Sequence, residues 1–186
     1  MCHRTAKRLC RSGERVLIAI GSNRHGPLGD AMGTIEESID LIRSAGIVVL
    51  RRAPFYRTAP VGLPMQPSVC NTAILCRNPY GPTQLLHILK WIERVAGRSS
   101  VQHSQARTLD LDIIDHGNRV IGWPVGRRQA GRLILPHPYA HLRAFVLVPI
   151  ADVAPSWFHP ALGLPLTRLL KSVPRKPGSI EPWMTN

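Results

Sequence analysis

Leu109-Asp110-Leu111-Asp112-Ile113-Ile114 is the stretch on which the fold turns. Two acids stand two residues apart inside an otherwise apolar run. On a strand, period-2 geometry sends Asp110 and Asp112 to one face and Leu109, Leu111 and Ile113 to the other. Upstream, Leu85, Ile88, Leu89, Ile92, Val95 and Ala96 recur at helical spacing between Gly81-Pro82 and Gly97, which predicts an amphipathic helix with a glycine at its end. Before that helix, Val69 to Arg77 reads as a strand, and Thr58 to Ser68, with Pro60, Gly62, Pro64 and Pro67, reads as a stiff loop. Ile47 to Leu50 begins another strand that runs toward Tyr56, with Pro54 marking an edge or bulge. Leu28, Met32, Ile35, Ile39 and Ile42 mark a helix entered at Pro27 and ended near Gly46. Val16-Leu17-Ile18-Ala19-Ile20, closed by Gly21, is a buried first strand. The order is β-α-β-β-α-β, and it predicts a ferredoxin-like α+β sheet with two helices on one face.

Past Gly117 the pattern adds short segments and one helix over Ala144 to Asp152. The chain divides into a basic N-terminal extension (1–14), one folded domain (15–156) and a C-terminal extension (157–186) that its prolines and glycines mark as loosely attached.

Bulk properties exclude several classes. The chain has 186 residues and 44% hydrophobic residues, enough for a stable core without disulfide or metal staples. No apolar run approaches the length of a membrane span. Cys2, Cys10, Cys70 and Cys76 form no C-x-x-C pair, and Cys70 and Cys76 share a strand face as buried thiols, so a reducing cytoplasm is expected. The formal charge of +13 calls for a polyanionic partner, either a nucleic acid or a phosphate-rich small molecule.

The candidate chemistry centres on the two aspartates. Side-by-side carboxylates repel, and the pair is stable if one is protonated or a cation sits between them. A hard ion such as Mg²⁺ suits two carboxylates and completes its shell with water and substrate phosphates. The alternative is a solvated strand face, disfavoured because Asp is depleted in strands. Arg98 and Arg107 flank this strand and suit bidentate phosphate contact, although for any single arginine a plain surface charge is the default. Gly21-Ser22-Asn23 lets a ligand approach the backbone. Gly21 and Gly26 have P-loop spacing, but Pro27 and Leu28 stand where the Lys and Ser/Thr belong, so no Walker A motif is present. Asn71, between apolar neighbours, needs a partner for its amide: a planar heterocycle or the Pro-rich loop. His137, between Pro136 and Pro138, is either a phosphate donor or structural.

Four segments resemble the 6-hydroxymethyl-7,8-dihydropterin pyrophosphokinase family of folate biosynthesis, over about Val16 to Pro155: Ile18-Ala19-Ile20-Gly21-Ser22-Asn23, Phe55-Tyr56-Arg57-Thr58-Ala59-Pro60-Val61-Gly62, Ala106-Arg107-Thr108-Leu109-Asp110-Leu111-Asp112-Ile113-Ile114, and Leu135-Pro136-His137-Pro138 through Arg143-Ala144-Phe145. The resemblance implies an enzyme that transfers pyrophosphate from ATP to a reduced pterin's hydroxymethyl group, leaving AMP. It implies two Mg²⁺ on Asp110 and Asp112, and ATP phosphate contacts at Arg98, Arg107, His137 and Arg143. Leu133 and Ile113 would lie near the adenine and ribose, with Glu93 supporting nucleotide binding. Thr58, Ala59, Val61, Asn71 and Phe145 would form the pterin pocket. The expected partners are these small molecules, with no membrane and with the chain a monomer or weak dimer.

The chain departs from the family in the loop ahead of Arg107. Ser99-Ser100-Val101-Gln102-His103-Ser104-Gln105-Ala106 lacks the usual Trp and a second Arg, and Val69 replaces an aromatic. Trp123 and His103 are the candidates to compensate. A divergent paralogue that keeps ATP-Mg²⁺ and takes another acceptor is therefore the alternative. A nucleic-acid-binding protein ranks below both, because the third strand lacks the aromatics on which bases stack.

Overall fold

The computed structural model describes residues 13–59, 67–98, 108–123, 132–174 and 180–183. Strand β1 (Glu14–Ser22) is followed by helix α1 (Ala31–Ser44), β2 (Val48–Arg52), β3 (Tyr56–Thr58), β4 (Val69–Asn78), α2 (Pro82–Val95) and β5 (Asp110–His116). Then come α3 (Ala144–Val153), the short strands β6 (Phe158–His159) and β7 (Leu164–Pro165), α4 (Leu166–Ser172) and β8 (Ile180–Pro182). The main sheet has the order β5-β1-β4-β3-β8, with β2 also on β4, and its pairings are antiparallel. The result is a mixed α/β domain with four helices packed on an antiparallel sheet.

Local chemistry accounts for the boundaries. Helix α1 begins later than Pro27, because the Asp30 side chain accepts the Gly33 N–H at 2.7 Å and caps it there. Pro27 falls instead in a turn whose ends, Gly26 and Gly29, bond each other's backbones. The second predicted strand is split in two around Ala53–Phe55, and its register on β4 slips between Val49 and Arg51. The break at Ala53–Phe55 is the interruption that Pro54, lacking an N–H, predicts. Gly97, with φ +84, ends α2 where a Cβ would lie 2.7 Å from the Pro27 ring.

One face of the sheet buries Ile18, Ile20, Ile74, Leu111 and Ile113 under α1 and α2, with Cys70 and Cys76 as buried free thiols. Burial pushes both thiols up to about 12. Leu17, Ala73, Leu75 and Ile114 lie in the second core cluster with α3 and α4. Val95, placed on the buried stripe of α2 by spacing, is 37% exposed, and Glu93 is buried in its stead.

The segment after Trp157 is not loosely attached. Leu166 and Leu169 of α4 are buried against α3, and β8 extends the main sheet. Pro160 and Gly163 fall in the turn between β6 and β7, and the apolar face of α4 supplies the docking energy. At this junction His159 is buried among Trp157, Trp123 and His141, with ring centroids 5.4–5.6 Å from its own. Burial pushes the His159 imidazole down to about 4. Among the described residues no helix is long and apolar enough to cross a membrane.

Candidate active site

The register of three strands builds one rung from Asn71 on β4, Gly21 on β1 and Asp110 on β5. Asp112 lies one step along the same face, opposite Ala19. Gly21 is the reason the rung is open. A Cβ there would point at Asn71 Oδ1 from 3.4 Å, so a glycine leaves a recess between amide and carboxylate. Helix α3 crosses this face without covering it. His137, just ahead of the helix, donates its backbone N–H to Ile114 O, while at the far end Tyr56 OH donates to Asp152 at 2.8 Å. That carboxylate and burial together raise the phenol to about 12, burial being the larger cause.

Both aspartates are partly exposed, Asp110 at 25% and Asp112 at 30%, and their neighbours on β5 are in the core. Arg98 Nη1 lies 2.7 Å from Asp110 Oδ1 and 2.7 Å from Glu93 Oε1. Burial works against the Arg98 charge, but the two carboxylates outweigh it and raise the guanidinium further. Glu93 is nearly fully buried. It accepts Leu111 N–H at 2.9 Å and both its oxygens face Lys90 Nζ, at 2.8 and 2.9 Å. It therefore satisfies a backbone donor on edge strand β5 and holds Arg98 against Asp110, a support for the site and not a lining of it.

His137 Nε2 is 3.8 Å from Asp112 Oδ2. Burial, aided by the Arg143 cation, pushes the imidazole down to about 4, so near neutrality it is a neutral ring and the contact is not an ion pair. Its Nδ1 accepts the Tyr139 N–H at 3.2 Å, which leaves the proton on Nε2, toward Asp112. The Arg143 guanidinium lies over the Tyr139 and Phe145 rings, at 5.6 and 5.8 Å. At the other end of the rung, Asn71 Nδ2 donates to Thr58 Oγ1 at 2.9 Å and to Val69 O at 3.2 Å. That commits both amide protons and leaves Oδ1 as an acceptor toward the recess.

The structure therefore brings together Asp110, Asp112, Arg98 and His137, and separately Asn71 with Thr58. Ile113 and Leu133 belong to the α1/α2 side of the sheet, across from the carboxylates. Ala59 follows β3 and is exposed. Arg107, Val61, His103 and the rest of the 99–107 loop lie outside the described residues. Trp123 does not stand in for the missing aromatic. Its indole N–H is bonded to Pro136 O at 2.7 Å and its ring packs on His141 and His159. Sequence reasoning marked Gly21 as a close-approach point but not the Asn71 and Asp110 that flank it, because only strand register shows them. A cleft of about 680 Å³, lined by Arg24, His25, Met32, Arg57 and Trp183 among others, opens on the α1 side of the sheet. Neither aspartate borders it, and the chemistry of the donor groups outweighs its size.

Among the described residues no three His, Cys, Asp or Glu side chains cluster into a metal cage. Two partly exposed carboxylates on one face, hard oxygen donors, still fit a cation that takes its other ligands from water and phosphate, the habit of Mg²⁺.

The family model for 7,8-dihydro-6-hydroxymethylpterin-pyrophosphokinase matches residues 17–155. A 2-amino-4-hydroxy-6-hydroxymethyldihydropteridine pyrophosphokinase from Synechocystis sp. is 36% identical over 157 residues, covering 84% of this chain and 75% of that protein. One of the same name from Porphyromonas gingivalis is 31% identical, covering 81% of this chain and 97% of its own. A mitochondrial folate synthesis bifunctional protein of Arabidopsis thaliana is 38% identical over 138 residues, and the chain spans only 23% of its length. In structure, the Plasmodium falciparum HPPK-DHPS aligns over 86% of this chain and 44% of its own, with a TM-score of 0.64 and 11% identity, a likeness of fold alone.

Proposed function

The chain belongs to the 7,8-dihydro-6-hydroxymethylpterin-pyrophosphokinase family, and from that premise we propose that the rung Asn71–Gly21–Asp110, with Asp112 beside it, is where its two substrates meet. The protein is a pyrophosphokinase of folate synthesis: it transfers pyrophosphate from ATP to the hydroxymethyl group of 6-hydroxymethyl-7,8-dihydropterin and leaves AMP. The observation that carries the site assignment is the register, which sets a carboxylate pair and an outward amide oxygen on either side of a glycine.

In this reading Asp110 and Asp112 hold two Mg²⁺ ions. The metal supplies neutralisation of phosphate charge and alignment of the attacking and leaving oxygens. The chain's own groups do the rest. Arg98, anchored by Glu93, places a cation beside the polyphosphate, and Arg107 and Arg143 add to it. His137 offers a neutral N–H donor at Nε2. Asn71 Oδ1 and the Thr58 hydroxyl present one acceptor and one donor to the edge of a heterocycle, with Ala59, Val61 and Phe145 completing the pterin pocket. Strand β5 ends the strand order, so a nucleotide along this edge reaches Ile113 and Leu133 as well as the carboxylates. The pterin hydroxyl attacks the β-phosphorus, its proton passes to solvent, the bond to the α,β-bridging oxygen breaks, and AMP departs with that oxygen. No covalent protein intermediate forms, and catalysis rests on positioning and charge.

The antiparallel order β5-β1-β4 with β2 and β3 supports a ferredoxin-like topology for the domain, which we place at 15–156 between two extensions. The free thiols of Cys70 and Cys76 support a reducing, cytoplasmic setting, and we take the enzyme to be a monomer or weak dimer. A second reading rests on Val69 and the 99–106 loop: a paralogue that keeps ATP and takes another acceptor, for which ATP binding without pterin binding would speak.

The deciding experiment supplies purified protein with ATP, Mg²⁺ and the hydroxymethyl pterin and follows AMP. The expected result is turnover that Asp110→Ala reduces by about 10³-fold. No AMP above background, with Asp110→Ala indistinguishable from the parent, would sink the assignment.

A further inference from the structure

Strand β3 is short and carries Thr58, the residue that orients Asn71. It spans Tyr56–Thr58, three residues, and pairs with β4 along one edge. Its other edge is closed by β8 from the C-terminus, with Tyr56 opposite Pro182, Arg57 opposite Glu181 and Thr58 opposite Ile180. Trp183 N–H donates to Phe55 O at 2.7 Å. Bonded pairs alternate along an antiparallel ladder. With Trp183 and Phe55 as one bonded pair, Glu181 and Arg57 are the next, and Pro182 falls where its amide would face outward. A residue without an N–H suits that position, and it blunts the new sheet edge against further pairing. The Trp183 indole anchors the strand. It packs against the α1/α2 core, and the Arg57 guanidinium lies 5.4 Å over its ring. Strand β8 and Trp183 lie outside residues 17–155, the part the family model matches, while β3 lies within it.

We infer that β8 is a positioning element for the acceptor-substrate side of the site: by clamping β3 against β4 it sets the Thr58 hydroxyl on Asn71, and so aims Asn71 Oδ1 into the recess. The inference rests on the reading of Thr58 and Asn71 as pterin-binding residues. The nucleotide side sits on β5, beyond β4 and β1 in the strand order, and does not depend on the clamp. Loss of β8 therefore separates the two substrates kinetically.

The test uses the full chain with Glu181→Pro, which deletes the N–H that faces Arg57 at an exposed position, and Glu181→Ala, which keeps it. A chain ended after Pro174 is the larger perturbation. KM for pterin, KM for ATP and kcat are measured, with circular dichroism as the check on folding. Glu181→Pro is expected to raise the pterin KM by about tenfold while ATP KM and kcat stay within about twofold, and Glu181→Ala is expected to match the parent. The shortened chain should show the same split, more strongly. An unchanged pterin KM in a folded Glu181→Pro variant overturns the inference, as does a parallel rise in both KM values or global unfolding of that variant. An inactive parent would instead overturn the functional reading, so the two failures are distinguishable.

Discussion

The α3 side of the sheet has two regions made by the same strands. In one, Leu17, Ala73, Leu75 and Ile114 are covered by Val146, Leu147, Ile150 and Leu169. In the other, Gly21, Asn71, Asp110 and Asp112 continue β1, β4 and β5 with no helix seated on the carboxylates. The covered region consists of buried apolar side chains. The open region holds polar groups already paired to one another: Asn71 to Thr58, Asp110 to Arg98, Arg98 to Glu93. Two or three residues along a strand separate packing from chemistry, because α3 is 10 residues long and crosses the sheet only once.

Substitutions in the two regions should act in opposite ways. Asp112→Asn removes a charge from the open region without changing its shape. It should lower kcat/KM by about 10³-fold with little change in melting temperature. A large loss of stability with activity retained would mean that this region is core after all. Leu147→Ala, in the covered region, should behave in the opposite way. Leu147 is fully buried, so its truncation should cost about 3 kcal/mol of stability, measured by urea unfolding, while the folded fraction keeps its KM values. A third test sharpens the covered side. His159 is depressed to about 4 by burial, against an ordinary value of 6.5. A depressed base stabilises the fold above its unfolded value and loses that contribution as pH falls through the folded one. Melting temperature should therefore fall between pH 6.5 and 4, and His159→Asn should flatten part of that slope. An unchanged slope would show that His159 is already charged in the folded protein.

Much of this contrast was legible residue by residue. The alternation around Asp110 and Asp112 placed them opposite Leu111 and Ile113, and the structure has them so. The helical spacing of Leu85, Leu89 and Ile92 and of Ile35, Ile39 and Ile42 located both helices, since a repeating apolar stripe has one geometry that buries it. The attachment of the C-terminal segment was not legible, because Leu166 and Leu169 make too short a stripe to stand out among breakers. The buried state of Glu93 was likewise hidden. A glutamate one residue after Ile92 looks like a solvated helix position until the edge of β5 brings the Leu111 N–H to it. Nor could spacing show that Trp123 is spent on Pro136, a contact across 13 residues of chain.

What the sequence alone determined was therefore whatever depends on local period: the β-α-β-β-α-β order up to β5 and the helix after it, the face that carries two acids, and, through four matched segments, the family. What only the tertiary structure decided was which partners those groups meet: Gly21 as the floor between Asn71 and Asp110, Glu93 as the anchor of Arg98, and β8 as the second edge of β3. Periodicity is written into neighbouring residues, because backbone geometry repeats within one element. Register and edge pairing join residues far apart in the chain, and only the packed sheet brings them within reach.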